Sequence, residues 1–411
     1  MKRYWKISSL IVVILLAISS FYIHSAYSIS QLPEYIIKKQ EGNSKTVENL
    51  ILRGFYGNET ETASEMVEIS SEGSEYASER SFFTQIKSMD YDGEQIENLK
   101  RKYRSFMRGK NSPDFFYEDK RNIVYAQVEY QFKDNRQKFN FHIAALDKKD
   151  KEEISLKMPV PKEEEYSTVE LNDVQFTDGR VNVFTKNYLV TNDGGQETSE
   201  VHLYSFNLSD KKLLSEETIL SEPNKRKNVY TDYTELPEVN SMDAADYILY
   251  YKSVNEQKQL ENGEIEEQNV ENGLVVYNVN EKKSEEVKLP KEIAALVGPG
   301  NYYDDTNLYV TEEKEGKIRV IVYDLEQKKA VNEFQVPLGE KDMKSLATII
   351  KDGNIYLLAT EEPEAEHGFE YASVIVADLK TGKTEYRGTI VNKKADHQSD
   401  SQVQLNELTI K

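Results

Sequence analysis

One short pattern occurs five times between about residue 140 and residue 390. Each copy consists of an alternating apolar strand, an Asp or Asn, a short turn rich in lysine, and a second strand. The copies span Phe141–Leu156, Val201–Leu220, Leu274–Leu289, Ile318–Val336 and Val374–Ile390. Self-similarity of this kind predicts several copies of one supersecondary unit, stacked so that each copy covers its neighbour.

The Asp or Asn of each copy serves as an anchor for aligning the five segments. The anchors are Asp147, Asn207, Asn278, Asp324 and Asp378. Apolar side chains precede them with a period of two and occupy both faces of the strand, which predicts sheets covered on each side by other sheets. An Asp or Asn side chain can accept a hydrogen bond from the backbone of the turn it begins, while the lysines keep the turn in water.

A second hairpin signal precedes each copy, and it is clearest at Thr177–Val183 and Lys351–Leu357. There, Asp-Gly lies between alternating apolar residues, and Gly readily adopts the positive φ that a tight turn needs. Two hairpins make a unit of four strands. These units resemble the repeats of the β-propeller class, at the level of the fold and without the signature of a specific family. The resemblance implies an all-β propeller of six four-stranded blades, or of seven if residues 31–112 hold further strands.

The two ends of the repeat region are predicted to meet. Within residues 31–112 the pattern predicts strands at Val47–Phe55, Glu65–Ile69 and Phe82–Ile86, and a helix over Gly93–Arg108. Residues 113–411 hold the repeats, and Gln402–Ile410 alternates like a strand. Pairing strands from both ends in one composite blade would close the ring and remove exposed strand edges.

Residues 1–30 form a separate N-terminal segment. Lys2, Arg3 and Lys6 precede the apolar run Leu10–Ile18, an arrangement that inserts into a membrane with its basic end in the cytoplasm. We expect a single-pass membrane anchor with the body outside the cytoplasm. The alternative is a signal peptide that is cleaved, since Ala26 and Ser28 provide small residues at a suitable place.

Composition excludes several classes of function. The chain has no cysteine, so disulfides and thiolate chemistry are impossible, and the single Trp5 lies outside the repeats. With 72 acidic and 52 basic residues, the formal net charge is −20, which repels nucleic acids and anionic lipids. The charge is typical of a solvated surface, and it is also compatible with a cationic ligand or partner.

Candidate site residues come from one repeat position. His142 and His202 both lie five residues before their anchors, where another copy has Arg319. If this position faces the central channel, the three side chains would line its rim and could bind a ligand. We predict no metal site and no cofactor. Ca²⁺ stays open as an alternative, although Asp90–Glu94 does not match a calcium-binding loop.

These observations predict a binding or scaffolding module that offers one face of the ring to a protein or to a ligand of the cell envelope. Enzyme motifs such as G-x-S-x-G, HExxH and phosphate-binding loops do not occur in the sequence. Two alternatives remain. One is an extracytoplasmic hydrolase or lyase with a carboxylate site in the channel, and the other is an accessory regulator of a membrane kinase or transporter.

Overall fold

The computed structural model describes most of the chain. It covers residues 5, 9–16, 19–20, 32–57, 64–80, 94–110, 112–133, 136–177, 179–190, 198–222, 228–260, 264–339, 343–361, 372–393 and 402–410. The predicted strand at Phe82–Ile86 lies outside the described residues.

Strands dominate the structure, and they are numbered here in chain order. They are β1 Tyr35–Gly42, β2 Leu50–Gly57, β3 Glu65–Ser70, β4 Gly73–Tyr76, β5 Phe116–Glu118, β6 Asn122–Lys133, β7 Arg136–Asp147, β8 Glu153–Pro159, β9 Tyr166–Thr177, β10 Arg180–Leu189, β11 Ser199–Asn207, β12 Lys212–Leu220, β13 Val229–Glu235, β14 Tyr247–Gln259, β15 Ile265–Asn278, β16 Lys283–Glu286, β17 Tyr302–Tyr303, β18 Asn307–Lys314, β19 Lys317–Asp324, β20 Lys329–Pro337, β21 Met343–Lys351, β22 Asn354–Glu361, β23 Ala372–Asp378, β24 Thr384–Asn392 and β25 Gln402–Ile410.

Helices are short and few in the described part. Outside the N-terminal segment, the described α-helices span Glu94–Lys102 and Lys291–Ala294. Four 3₁₀ turns are Ser44–Val47, Ala77–Glu79, Pro113–Phe115 and Glu163–Glu165. The helix predicted over Gly93–Arg108 is therefore present but ends earlier, at Lys102.

The strands form six antiparallel sheets, which we call blades 1 to 6. Blade 1 is β25-β2-β3-β4, and blades 2 to 5 are β5–β8, β9–β12, β13–β16 and β17–β20, each in chain order. Blade 6 is β21–β24 with β1 added beside β24. Six successive four-stranded units with this order make the chain a β-propeller, as the repeats predicted.

Burial distinguishes the centre of the ring from its rim. Fourth strands such as β12, β16 and β20 are mostly exposed, whereas second and third strands such as β10 and β11 are mostly buried. First strands of neighbouring blades contact each other, as β5 contacts β9 and β21 contacts β25. The first strands therefore line the centre and the fourth strands form the rim.

The ring is closed by strands from the two ends of the chain. β25 pairs antiparallel with β2, from Leu50↔Ile410 to Gly57↔Gln402. β1 pairs with β24, from Tyr35↔Asn392 to Gly42↔Tyr386. β25 thereby provides the first strand of blade 1 and covers the edge of β2. Covering an edge in this way prevents edge-to-edge association.

The five anchors occupy the same place in their blades, at the turn between the third and fourth strands. In each turn the anchor side chain accepts a hydrogen bond from the backbone N–H three residues later, at 2.7–3.1 Å. The residue four positions after the anchor has positive φ in every copy. It is Lys151, Lys211, Lys282, Lys328 or Gly382. The predicted turn chemistry is confirmed, and the lysines also carry the left-handed conformation.

Hydrophobic layers between blades hold the ring together. Phe141 of blade 2 lies 4.8 Å from Tyr204 of blade 3, between ring centroids, and Phe184 of blade 3 lies 5.6 Å from Tyr277 of blade 4. Similar clusters join blades 4 and 5, blades 5 and 6, and blades 6 and 1. The Glu94–Lys102 helix packs its apolar face on blade 2. Blades 2 to 6 are thus covered on both faces, as the two-sided apolar pattern requires.

The N-terminal segment is described only in part, where residues 9–16 are helical and exposed. Among the described residues, no helix combines the length and the apolar character needed to cross a membrane. The anchor or signal peptide assigned to residues 1–30 stays a prediction.

Candidate functional site at the centre of the ring

Four carboxyl groups lie on the elements around the centre of the ring. We call them the central acid cluster, which consists of Asp114, Asp173, Glu235 and Glu238. Asp114 lies in the 3₁₀ turn before β5, Asp173 lies in β9, and Glu235 ends β13. Glu238 follows in the connection to β14 and forms a parallel bridge with Tyr303 of β17. Three successive blades, 2 to 4, therefore contribute to one acidic region.

An irregularity in β9 orients the polar side chains of this strand. The register between β9 and β10 shifts so that Phe184 pairs with Asp173 but Thr185 pairs with Leu171, which leaves Asn172 as an extra residue. Such a bulge locally twists a strand and redirects its side chains, often beside functional sites. Asp173 is held in place by the N–H of Val174 at 2.6 Å and by Nε2 of Gln175 at 2.8 Å.

Three buried oxygen atoms beside the cluster have no hydrogen-bond partner among the described residues. They are Glu235 Oε2, Asn172 Oδ1 and Tyr250 Oη. Tyr250 is 0% exposed, and its pKa is raised well above the usual range by burial and by the charges of Glu235 and Asp173. The hydroxyl of Tyr250 therefore lies within the electrostatic reach of the cluster. Buried polar atoms without a partner are rare in proteins and need an explanation.

Burial raises the pKa of all four carboxyls, and nearby carboxylates add to the rise for Asp173, Glu235 and Glu238. Burial is the main cause for Asp173, whose pKa rises to about 6, and the charge of Asp114 adds to it. Burial raises the pKa of Glu238 to about 9, with further contributions from Asp173 and Asp305. The pKa of Glu235 is raised well above its usual value, and that of Asp114 is also raised, in both cases mainly by burial. Desolvation and like charges both disfavour the ionised form.

Within the described residues, the cluster lacks a paired positive charge. In the described part of the chain, no lysine or arginine forms an ion pair with any of its four carboxyls. An isolated carboxylate is costly to bury, so the group either takes up a proton or is neutralised by a cation. The arrangement can therefore hold protons at neutral pH or bind a positively charged group.

Metal coordination finds no support in the arrangement of the side chains. Within the described ranges, no group of three or more His, Asp or Glu side chains is placed to hold a metal ion. A separate cavity of about 320 Å³ lies away from the ring centre, in blade 4, where Tyr251, Leu274 and Val297 contribute to its lining.

The three residues selected from the repeat pattern lie in third strands of separate blades. His142 Nδ1 is 3.0 Å from Glu129 Oε1 in blade 2. His202, 2% exposed, contacts Glu200 at 3.1 Å in blade 3. Arg319 pairs with two glutamates of blade 5. The structure does not bring the three side chains together, because third strands lie between the second and fourth strands. A role for them in ligand binding stays a prediction.

The central acid cluster was not identified from the sequence. A usable signal was present in Asp173, which follows the alternating apolar residues Val169 and Leu171, and in the acidic pair of Glu235-Leu-Pro-Glu238. Asp304 lies in the turn between β17 and β18, where it accepts hydrogen bonds from the N–H groups of Thr306 and Asn307.

Comparison with known proteins gives no family for the chain. No protein-family model and no curated protein matches the sequence. Among solved structures, an uncharacterized protein, lmo1340 of Listeria monocytogenes EGD-e, is 8% identical over 66% of this chain and 82% of its own, with a TM-score of 0.29. The Dos1 propeller is 10% identical over 63% and 57%, with a TM-score of 0.26. The GH43 β-1,3-galactosidase BT3683 is 10% identical over 54% and 79%, with a TM-score of 0.25. Scores this low carry no functional argument.

Proposed function

We propose that the protein is a binding module whose central acid cluster accepts a cationic group of its ligand, most simply a primary ammonium. The observation that supports this proposal is the combination of uncompensated carboxyls with unpartnered buried oxygens at Glu235, Asn172 and Tyr250. An ammonium brings one positive charge and three hydrogen-bond donors. It would neutralise the carboxyls and give the oxygens the donors they lack.

Electrostatics favour such a ligand at neutral pH. The four carboxyls repel each other whenever they ionise, so a cation that enters replaces repulsion by attraction in a region of low dielectric constant. The net charge of −20 also attracts cations from solution. Binding should weaken in acid, because protons then occupy the same oxygens.

Thermal unfolding with putrescine as the probe tests the proposal, with 1,4-butanediol as an uncharged analogue of the same length. A ligand at about one hundred times its Kd stabilises the folded state by about 2.7 kcal/mol. We expect putrescine to raise the midpoint of wild type in a saturable manner, and we expect Glu235→Gln to weaken its binding at least tenfold. Glu326→Gln, at an exposed position in the β19–β20 turn, is the matched control and should bind like wild type.

Two results would contradict the proposal. The first is an equal effect of putrescine and of sodium chloride at the same ionic strength, which would reveal screening of surface charge. The second is unchanged putrescine binding in Glu235→Gln when the variant is folded. Either result would show that the central acid cluster does not bind putrescine.

A second candidate function is carboxyl-based hydrolysis, and the difference between two pKa values favours it. At neutral pH a group like Glu238, with a pKa of about 9, holds a proton, whereas Asp173, with a pKa of about 6, is ionised. Carboxyl pairs whose environments separate their pKa values can serve as general acid and general base. Hydrolysis of aryl glycosides that disappears in both Glu238→Gln and Asp173→Asn would favour this function over binding alone.

We also propose that the ring is exported and held at the membrane by its N-terminal segment, with a protein or envelope ligand as partner. The basic residues before the run Leu10–Ile18 support this placement. Protease added to intact cells should then digest the ring, and replacing residues 1–30 with a cleavable signal peptide should release it to the medium. Full protection from protease in intact cells would contradict the proposal.

A further inference from the structure

The hairpin of blade 4 extends beyond the rest of its sheet. β14 and β15 pair from Tyr247↔Asn278 to Gln259↔Ile265, with one register shift that leaves Val270 without a partner in β14. The outer strand β16 pairs only with Val275–Asn278 of β15. Among the described residues, no strand therefore pairs with the outer edge of β15 from residue 265 to residue 273. Residues 265–272 are also exposed throughout, so nothing in the described chain covers this edge.

One hydrogen bond shows which residues of β15 point their backbone N–H and C=O groups away from β14. The N–H of Val287 donates to the carbonyl of Leu274 at 2.8 Å, so Leu274 directs its backbone groups away from β14. In an antiparallel pair this direction alternates along the strand. Asn272, two residues earlier, therefore also points its N–H and C=O outward. An unpaired edge of this kind is a template for an additional strand.

The chemistry around the edge is acidic with apolar positions between the charges. Glu266, Glu267 and Glu271 belong to the unpaired part of β15. Ile265, directly before Glu266, is 64% exposed, and Val270, between Glu267 and Glu271, is 50% exposed. An extended segment with basic and apolar side chains would complement this pattern. A second copy of β15 would instead place glutamates against glutamates, which is destabilising.

A cavity begins where the free edge ends. Its volume is about 320 Å³, and Gly273, Leu274, Leu289 and Val297 contribute to its lining. A Cβ added at Gly273 would have no heavy atom within 4 Å, so the backbone is open to a neighbour there. A strand added along residues 265–273 would bring one of its side chains to this cavity.

We propose that the outer edge of β15, from Ile265 to Asn272, binds an extended cationic segment of a partner protein as an added β-strand. Backbone hydrogen bonds would supply affinity, as they do when peptides add to sheet edges. The glutamates select basic side chains. The cavity, which Leu274, Leu289 and Val297 line together with Glu271, Glu286 and Lys288, receives one side chain of the segment. This site lies in the outer half of blade 4 and is separate from the central acid cluster.

Fluorescence anisotropy with a labelled peptide of alternating lysine and valine tests the proposal, with a peptide long enough to span residues 265–273. A second peptide has the same side chains but N-methyl groups on alternate amides, which removes donors along one edge. We expect the N-methylated peptide to bind at least tenfold more weakly. Hydrogen exchange should show slower exchange of the Asn272 amide when the unmodified peptide is bound.

Two charge-reversal variants complete the test. Glu266→Lys/Glu267→Lys should weaken the unmodified peptide at least tenfold. Glu152→Lys/Glu153→Lys is the matched control, because it changes net charge equally at two adjacent exposed glutamates on the rim of blade 2, and it should have little effect. No binding to wild type, equal binding of both peptides, or an equal loss in the control variant would each overturn the proposal.

Discussion

Replacing Asp173 with Asn removes one carboxyl from the central acid cluster and keeps the size of the side chain. Burial, with a contribution from Asp114, raises the folded-state pKa of Asp173 from 3.8 to about 6. Between these two values the folded protein keeps a proton that the unfolded chain releases. The free energy of unfolding therefore falls as pH rises through this window and is constant above it.

The size of this fall follows from the two pKa values. Each tenfold change in proton concentration across the window is worth about 1.4 kcal/mol, so the window corresponds to about 3 kcal/mol. The Asn variant has no titrating group and should lack this component. Its amide can replace only one of the two hydrogen bonds from Val174 and Gln175, which costs about 1 kcal/mol. That cost does not depend on pH, so the slope with pH separates the two effects.

Urea unfolding followed by tyrosine fluorescence, from about pH 4 to about pH 7, measures the effect. Wild type should lose about 3 kcal/mol more stability than Asp173→Asn across this range. Asp210→Asn, at the exposed β11–β12 turn of the same blade, should follow wild type. Parallel curves for wild type and Asp173→Asn would show that the Asp173 carboxyl is not desolvated, and the reasoning about the cluster would fail.

Two further predictions concern the ring itself. Gly382 has φ +67°, and a Cβ there would lie 2.5 Å from Phe334 Cδ2, so Gly382→Ala should lower the free energy of unfolding in urea by at least about 1–2 kcal/mol. Lys328→Gly, at the equivalent turn position, should leave that free energy unchanged or raise it. A stabilising Gly382→Ala would contradict the equivalence of these turns. Leu405 of β25 is buried in the cluster joining blades 6 and 1, so Leu405→Ala should cost about 2–5 kcal/mol, and a loss below about 1 kcal/mol would show that β25 contributes little to closure.

The repeat architecture could be predicted because its determinants are local. Each repeat places its anchor, such as Asp147, its turn and its alternating strand within about twenty residues. Turn-forming residues and an apolar period of two can both be recognised over that length of sequence. The composite blade could be predicted for the same reason. Gln402–Ile410 alternates like a strand, and a strand at the end of the chain must pair with another strand. The addition of β1 to blade 6 was not predicted, because no local pattern specifies a fifth strand.

The central acid cluster brings together residues that are far apart in the sequence, and no local pattern shows that they meet. Asp114 and Glu238 are separated by more than one hundred residues, and only the stacking of first strands brings their blades together. Two of the first strands are also weak signals, since β5 has three residues and β17 has two. His142, His202 and Arg319 were correctly assigned to equivalent positions, but equivalence does not indicate whether a position faces the channel.

The central acid cluster differs from the other buried charges of the chain in how it is neutralised. Lys186 in blade 3 lies 2.7 Å from Asp232, and Arg53 in blade 1 lies 2.9 Å from Glu68. Each buried lysine or arginine of the blades has a carboxylate beside it, and the buried carboxyl of Asp324 accepts two hydrogen bonds from Gln327. The cluster around Asp173 and Glu235 instead places several carboxyls together with no paired cation among the described residues, at a cost of several kcal/mol, against a total stability of about 5–15 kcal/mol for typical domains. Amide or apolar side chains would remove the cost without altering the hydrophobic layers between blades. We therefore infer that the missing positive charge is supplied by a ligand, and that the site is kept acidic to receive it.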